Sequence, residues 1–126
     1  MGARTPTAGI EGSYGAPAAP ERAEVQDGYA TWYGNAFAGR KTASGERFNP
    51  LALTAAHRTL PFGTWVEVTR VDTGASVRVR ITDRGPYAAP SQHRIIDLSQ
   101  GAAERIDLVR SGVTRVEVRV IDGPND

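Results

Sequence analysis

Three ionisable side chains lie in segments where chemistry could occur: Glu46, His57 and Asp83. Asp83 ends an alternating apolar run just before a Gly-Pro turn, so its carboxyl group could be held at the rim of a β-structure. Glu46 follows a glycine in a stretch rich in Thr and Ser, and His57 follows two alanines. Carboxylates and imidazoles are frequent general acids and bases. Each residue also has an ordinary structural interpretation: a turn-forming aspartate, a solvated glutamate and a core histidine with satisfied ring nitrogens.

The elements that must position these residues are mainly short β-strands. Apolar and polar residues alternate over residues 65–71 and 77–82, which predicts a hairpin with one buried face. The alternation returns at 116–120, and residues 28–34 and 95–98 are two further strand candidates. The segments that carry Glu46 and His57 are expected to be loops. Five or more short strands indicate a small barrel or sandwich.

One segment has helical spacing. Ser99 can cap a helix, apolar residues recur at helical intervals after it, and Gly112 stands where a helix would end. A single short helix over residues 100–110 is therefore expected.

Length and composition narrow the possible classes of protein. The chain has 126 residues, a net charge of +1, two His and no Cys. These numbers fit one domain without disulfides, and we expect neither a metal nor a cofactor. The sequence contains no apolar run of ~20 residues, so no membrane span is predicted.

The first 26 residues differ from the rest of the chain. Half of them, 13 of 26, are Ala, Gly or Pro, and they include no continuous apolar signal region. We expect residues 1–26 to form a disordered leader or linker, residues 27–122 a single domain and residues 123–126 a tail.

Six motifs in this order and spacing resemble the RlpA-like (rare lipoprotein A) family. They are Tyr29-Ala-Thr-Trp-Tyr-Gly34, Thr42-Ala-Ser-Gly-Glu-Arg-Phe48, Leu53-Thr-Ala-Ala-His57, Leu60-Pro-Phe-Gly-Thr64, Asp83-Arg-Gly-Pro-Tyr87 and Ile96-Asp-Leu-Ser99. The resemblance covers residues 28 to about 121. It implies a mainly β fold, a six-stranded double-psi β-barrel with one short helix, which expansins and family 45 endoglucanases also have.

The resemblance also implies an activity and a set of catalytic residues. Members of the family are lytic transglycosylases that cleave the bond between N-acetylmuramic acid and N-acetylglucosamine in peptidoglycan and leave a 1,6-anhydro end. The catalytic positions of the family fall on Glu46, His57 and Asp83. We expect Asp83 to act as acid and base, Glu46 to stabilise positive charge or orient the sugar, and His57 to hydrogen bond to one of them.

Further residues around these positions could bind the glycan. Tyr33, Phe48 and Tyr87 could stack on sugar rings, Arg84 could meet a lactyl or peptide carboxylate, and the remaining candidates, Thr42 and Ser44, could bond sugar hydroxyls. The alternative is that the aromatic residues belong to the core, Arg84 to a turn, and the hydroxyls to the loop's own backbone. Trp32 and Trp65 are expected in the core.

Two other functional classes compete with this hypothesis. One is a non-catalytic, expansin-like module that binds peptidoglycan or another polysaccharide. The other is a nucleic-acid binder, but strand-alternating arginines are usually a solvated face, and we expect no nucleic acid as partner. The expected partner is the peptidoglycan glycan strand, bound by a monomer. The expected location is the periplasm or cell envelope, after export by a signal that this chain does not display.

Overall fold

The computed structural model describes residues 25–87 and 93–124. The six strands and two helices that it contains are β1 (Val25–Tyr33), β2 (Thr54–His57), β3 (Trp65–Arg70), β4 (Ser76–Asp83), β5 (Arg94–Ser99), α1 (Gln100–Arg105), α2 (Leu108–Ser111) and β6 (Thr114–Asp122). A 3₁₀ turn, Asn35–Phe37, follows β1. No helix within these residues is long and apolar enough to cross a membrane.

The strands form a closed barrel in the order β1-β5-β2-β4-β3-β6. Two of the pairings, β1 with β5 and β2 with β4, are parallel, and the other pairings are antiparallel. Closure leaves the sheet without an unpaired edge strand. The predicted fold class, a six-stranded mainly β barrel, is confirmed.

Alternating side chains fill the interior of the barrel. In β3 and β4 the residues Val66, Val68, Val79 and Ile81 are completely buried, and the residues between the valines of β3 and between those of β4 are more exposed. Burial of one such side chain stabilises the fold by roughly 1.5–3 kcal/mol. Trp32 packs against this core, as expected. Trp65 belongs to the outward set of β3, and it lines an open surface cavity of about 440 Å³, so its predicted place in the core is wrong.

The strand β2 was expected to be a loop, and that expectation is wrong. All four of its residues are buried, so the segment lacks the alternation that marks a half-exposed strand. β2 lies between β5 and β4 and pairs with both. Two alanines, which have little intrinsic preference for strands, are held there by neighbours distant in the sequence.

The predicted helix over residues 100–110 is divided into two. Ser99 caps α1 as expected, because its side chain accepts a hydrogen bond from the Ala102 amide. The helix ends after Arg105, and Asp107 adopts the left-handed conformation with φ of 57° before α2 begins. Aspartate tolerates that conformation better than most residues, which explains the break.

Strand β1 starts two residues before the expected domain boundary. Val25 and Gln26 pair with Arg119 and Val118 of β6, and the Gln26 side chain reaches His57. Residues 1–24, which carry most of the expected leader, lie outside the described residues, as do residues 125–126 of the tail.

Candidate functional site

Two carboxylic side chains lie on either side of Ala56 on the outer face of the barrel. Ala56 of β2 pairs with Asp97 of β5 on one side and with Asp83 of β4 on the other. Thr31 of β1 extends the same row, since it pairs with Asp97. Residues paired across neighbouring strands share a face, so both carboxyl groups point outward from the barrel on the same face. Two strand spacings separate their α-carbons by about 10 Å.

Asp83 ends β4, where the segment that contains Thr42, Ser44 and Glu46 meets the barrel. Its Oδ1 accepts hydrogen bonds from the amides of Ala43 and Arg84, both at 2.9 Å. The amide of Ser44 donates to the Thr82 carbonyl at 3.1 Å, which fastens the same segment to β4. Two N–H donors on one oxygen fix the orientation of the carboxyl group.

Asp97 is a residue that the sequence analysis did not select. Burial raises the pKa of its carboxyl group, and the charge of Asp83 adds to that shift. A hydrogen bond from the Thr31 hydroxyl at 2.9 Å and the positive charge of Arg94 oppose it. The alternation of residues in this strand could have indicated Asp97, because it lies between the buried Ile96 and Leu98 and must therefore face away from the core.

Tyr33 lies in the field of both carboxyl groups. Burial raises the pKa of its phenol, and the charges of Asp83 and Asp97 raise it further. Its hydroxyl oxygen is buried and has no hydrogen-bond partner among the described residues. The ring stacks on Phe48 with centroids 4.6 Å apart. Phe48 is only 5% exposed, so it supports the Tyr33 ring and offers little surface to a sugar.

Glu46 is bound to Arg80, which lies three residues before Asp83 in β4. Two hydrogen bonds of 2.7 and 2.9 Å join the guanidinium to both carboxylate oxygens. Hydrogen bonding to Arg80 lowers the pKa of Glu46. Glu46 is therefore an ionised and partly neutralised group, unsuited to donating a proton.

His57 ends β2 directly after Ala56, and its side chain is 3% exposed. Its Nδ1 accepts hydrogen bonds from the amides of Thr59 and Leu60, both at 3.1 Å, and its Nε2 lies 2.9 Å from Gln26 Oε1. The expected hydrogen bond to Glu46 or Asp83 is not present within the described part of the chain. Burial, together with the charges of Arg84 and Arg58, lowers the pKa of the ring to about 4.

The remaining predicted binding residues differ in how open they are. Tyr87 is 78% exposed and its ring lies beside Gly85. Thr42 and Ser44 have their hydroxyl oxygens 2.9 Å apart, and Thr42 also donates to the Glu46 carbonyl. Arg84 donates through Nη1 to two carbonyl oxygens, and its guanidinium covers the ring of Phe62 at 4.0 Å. The contacts expected of the structural alternative are thus present at Thr42, Ser44 and Arg84, whereas Tyr87 is open to solvent.

The arrangement suits acid and base chemistry. Burial raises the pKa of Asp97, while the amides of Ala43 and Arg84 hold the Asp83 carboxyl group in one orientation. Two carboxyl groups whose surroundings differ in this way can divide the roles of acid and base.

Comparison with known proteins finds relatives over most of this chain. Residues 25–118 match the model of a family described as lytic transglycolase, a double-psi β-barrel family. The chain is 55% identical over 101 residues to a probable endolytic peptidoglycan transglycosylase RlpA of Treponema pallidum, covering 80% of this chain and 30% of the relative. It is 50% identical over 98 residues to the endolytic peptidoglycan transglycosylase RlpA of Campylobacter jejuni, covering 78% and 34%. The chain spans about a third of the length of these relatives.

Two solved structures share the fold at low sequence identity. The Streptomyces papain inhibitor superposes with a TM-score of 0.61 at 23% identity, covering 78% of this chain and 94% of that protein. An expansin of Clavibacter michiganensis gives 0.59 at 19% identity, covering 82% and 53%. The ordered motifs, the closed barrel and the match over residues 25–118 lead to one conclusion: the chain belongs to the RlpA-like family of double-psi β-barrel lytic transglycosylases.

Proposed function

We propose that this domain is a peptidoglycan lytic transglycosylase, which cleaves the glycosidic bond after N-acetylmuramic acid and forms a 1,6-anhydro end in cell-wall remodelling. The observation that carries the proposal is the pair Asp83 and Asp97, which flank Ala56 on one face in different electrostatic surroundings. The relatives, which are named as endolytic peptidoglycan transglycosylases, support the same reaction.

The two carboxyl groups divide the reaction between them. Asp97, whose pKa burial raises, donates its proton to the glycosidic oxygen as the bond to the muramic acid C1 breaks. The carboxylate of Asp83 stabilises the oxocarbenium-like centre and then accepts the proton of the C6 hydroxyl as that oxygen bonds to C1. The sequence alone assigned both steps to Asp83. The raised pKa of Asp97 favours their division.

The C6 hydroxyl belongs to the same sugar as C1, so the attack is intramolecular and gains from proximity. No water molecule is consumed, and the products together have the composition of the substrate. The site must therefore hold the sugar so that its own hydroxyl reaches C1 before water does.

The surrounding residues are assigned to binding. Tyr87 is open to solvent beside Gly85 and provides a ring on which a sugar can stack. The ring of Tyr33, supported by Phe48, lies in the electrostatic field of both carboxyl groups. Glu46 and Arg80 form a polar pair that can orient sugar hydroxyls, a role that suits Glu46 better than proton donation.

The proposed function implies the compartment in which the domain acts. Peptidoglycan lies outside the cytoplasmic membrane, so the domain acts in the periplasm or cell envelope on glycan strands. The names of the relatives, which specify peptidoglycan, support this assignment.

Mass spectrometry of peptidoglycan incubated with the protein tests the proposal. Soluble fragments should end in 1,6-anhydro muramic acid, and each end should be one water lighter than a reducing end. Asp72→Asn, which alters an exposed carboxylate paired with Arg70, is the matched control and should release the same fragments. Reducing ends would contradict the proposal and indicate a hydrolase. Binding to sacculi without any product would contradict it in favour of an expansin-like module.

A further inference from the structure

The ring of His57 has no nitrogen free for substrate. Nδ1 accepts two amide hydrogens, from Thr59 and Leu60, so it carries no proton. The proton of the neutral ring therefore lies on Nε2 and is donated to Gln26 Oε1 at 2.9 Å. With the side chain 3% exposed, both nitrogens are enclosed as well as engaged.

The turn that follows His57 provides the hydrogen-bond acceptors for the side chain of Arg84. Nη1 of Arg84 donates to the carbonyl oxygen of His57 at 3.1 Å and to that of Leu60 at 2.9 Å. The aromatic ring of Phe62, just beyond this turn, lies under the guanidinium at 4.0 Å. If the turn at residues 58–60 opened, Arg84 would lose the acceptors that fix its position.

Arg84 in turn fixes the carboxyl group of Asp83. Its backbone amide donates to Asp83 Oδ1 at 2.9 Å, and it follows Asp83 directly in the chain. A continuous series of contacts therefore leads from Gln26 through His57, the turn and Arg84 to the carboxylate.

We propose that His57 is a positioning residue, whose ring holds the turn at residues 58–60 and thereby Arg84 and the Asp83 carboxylate, and that it exchanges no proton with the substrate. This inference rests on the proposed function, because the geometry that His57 maintains is that of the reacting carboxylate. It differs from the sequence-based hypothesis, in which His57 is one of the catalytic groups.

Two substitutions at His57 separate positioning from proton transfer. In His57→Asn the side-chain oxygen lies where Nδ1 was and can accept the amides of Thr59 and Leu60, as asparagine does in turns, but it cannot take a proton. In His57→Gln the amide is one bond further out, so it can reach Gln26 but leaves those two amides without their acceptor. We expect kcat of His57→Asn to stay within about tenfold of wild type and that of His57→Gln to fall by about 100-fold. Equal losses in the two variants would overturn the inference.

A double-mutant cycle tests whether the effect passes through Arg84. If it does, His57→Gln combined with Arg84→Gln should lower kcat no further than the more damaging single substitution. Multiplied losses would show that His57 acts independently of Arg84 and would contradict the proposal. All four proteins are assayed well below their thermal midpoints.

Nitrogen-15 NMR of the wild-type protein tests the inference without depending on the folding of a variant or on an activity assay. Nδ1 of His57 should remain unprotonated and hydrogen-bonded from about pH 5 to about pH 8, and a titrating Nδ1 in that range would overturn the inference.

The proposed function and the proposed role of His57 can fail separately. A wild-type protein without cleavage contradicts the proposed function, whereas a titrating ring in an active protein contradicts only the role of His57.

Discussion

Asp97 combines a raised pKa with a position across Ala56 from Asp83, and both properties come from where its strand lies. Its neighbours Ile96 and Leu98 are completely buried, so the side chain must leave the barrel on the outer face. There it meets the hydroxyl of Thr31 and the charge of Asp83. A carboxyl group with a raised pKa is what glycosidic cleavage near neutral pH requires of an acid.

Substituting Asp97 should lower activity and raise stability. Asp97→Asn can still accept the Thr31 hydrogen bond but has no acidic proton, so kcat should fall by ~10² to 10⁴-fold. Because the folded pKa lies above the ordinary value of 3.8, the wild-type protein loses stability as pH rises from about 3.8 through the raised folded pKa, and the variant should not. Turnover and thermal melting across pH measure both effects. An active Asp97→Asn protein would contradict the assigned role.

Thr31→Val provides the matched control for this prediction. The Thr31 hydroxyl lowers the pKa of Asp97, so its removal should raise that pKa further. The alkaline limb of the pH–rate profile should then move to higher pH, with the maximal rate reduced less than in Asp97→Asn. A limb that does not move would show that Asp97 is not the titrating acid.

Single residues differed in how far the sequence could identify them. Asp83 was recognisable because it ends an alternating run before a turn and matches a motif, whereas Asp97 lies in the middle of a strand, where a polar residue usually means only a solvated face. His57 was recognisable as unusual, but its partners come from Gln26 and from its own turn. Those contacts depend on the closure of the barrel, which local sequence does not encode.

At the scale of elements, the short strand β2 depends on the helix α1 that packs beside its start. The amide of Gly101 donates to the Pro50 carbonyl at 2.8 Å, and Ser99 Oγ donates to the Ala52 carbonyl at 2.6 Å. A Cβ on Gly101 would lie 2.5 Å from the Leu51 carbonyl oxygen, which belongs to the backbone and cannot rotate away. The start of α1 therefore sets the path of the chain into β2, which carries Ala56.

Gly101→Ala should destabilise the protein, although alanine favours helices. Overpacking of this kind costs roughly 1–3 kcal/mol, which exceeds the gain in helix propensity of about 1 kcal/mol or less. Thermal melting should show a lower midpoint, and the matched control Gly123→Ala, where no atom lies within 4 Å of the added Cβ, should melt like wild type. A midpoint unchanged by Gly101→Ala would contradict the close approach.

Elements with a periodic pattern were predictable and those without one were not. The hairpin of β3 and β4 follows from alternating side chains, and the start of α1 follows from the capping residue Ser99. The strand β2 has no alternation because both its faces are covered. The break between α1 and α2 depends on the backbone conformation of Asp107, which a helical pattern of apolar residues does not predict.

At the scale of the whole molecule, the site exists only in the closed barrel. The row Thr31, Asp97, Ala56 and Asp83 comes from four strands, and Thr31 and Asp97 are 66 positions apart in the chain. Alternation indicates which face of a strand is buried but not which strand lies beside it. Strand number therefore predicted a small barrel or sandwich, while the six-stranded barrel and the parallel pairings that assemble the site required the family resemblance or the structure.

The most direct test of the account is the rate at which Asp83→Asn forms 1,6-anhydro muramic acid ends from peptidoglycan, measured with its thermal midpoint. Asparagine keeps an oxygen for the amides of Ala43 and Arg84, so the fold should be preserved and the midpoint should change by a few degrees at most. The charge that stabilises the oxocarbenium-like centre and accepts the C6 proton is lost, which predicts a fall of ~10² to 10⁴-fold. A folded Asp83→Asn protein that releases these ends at the wild-type rate would contradict the central claim.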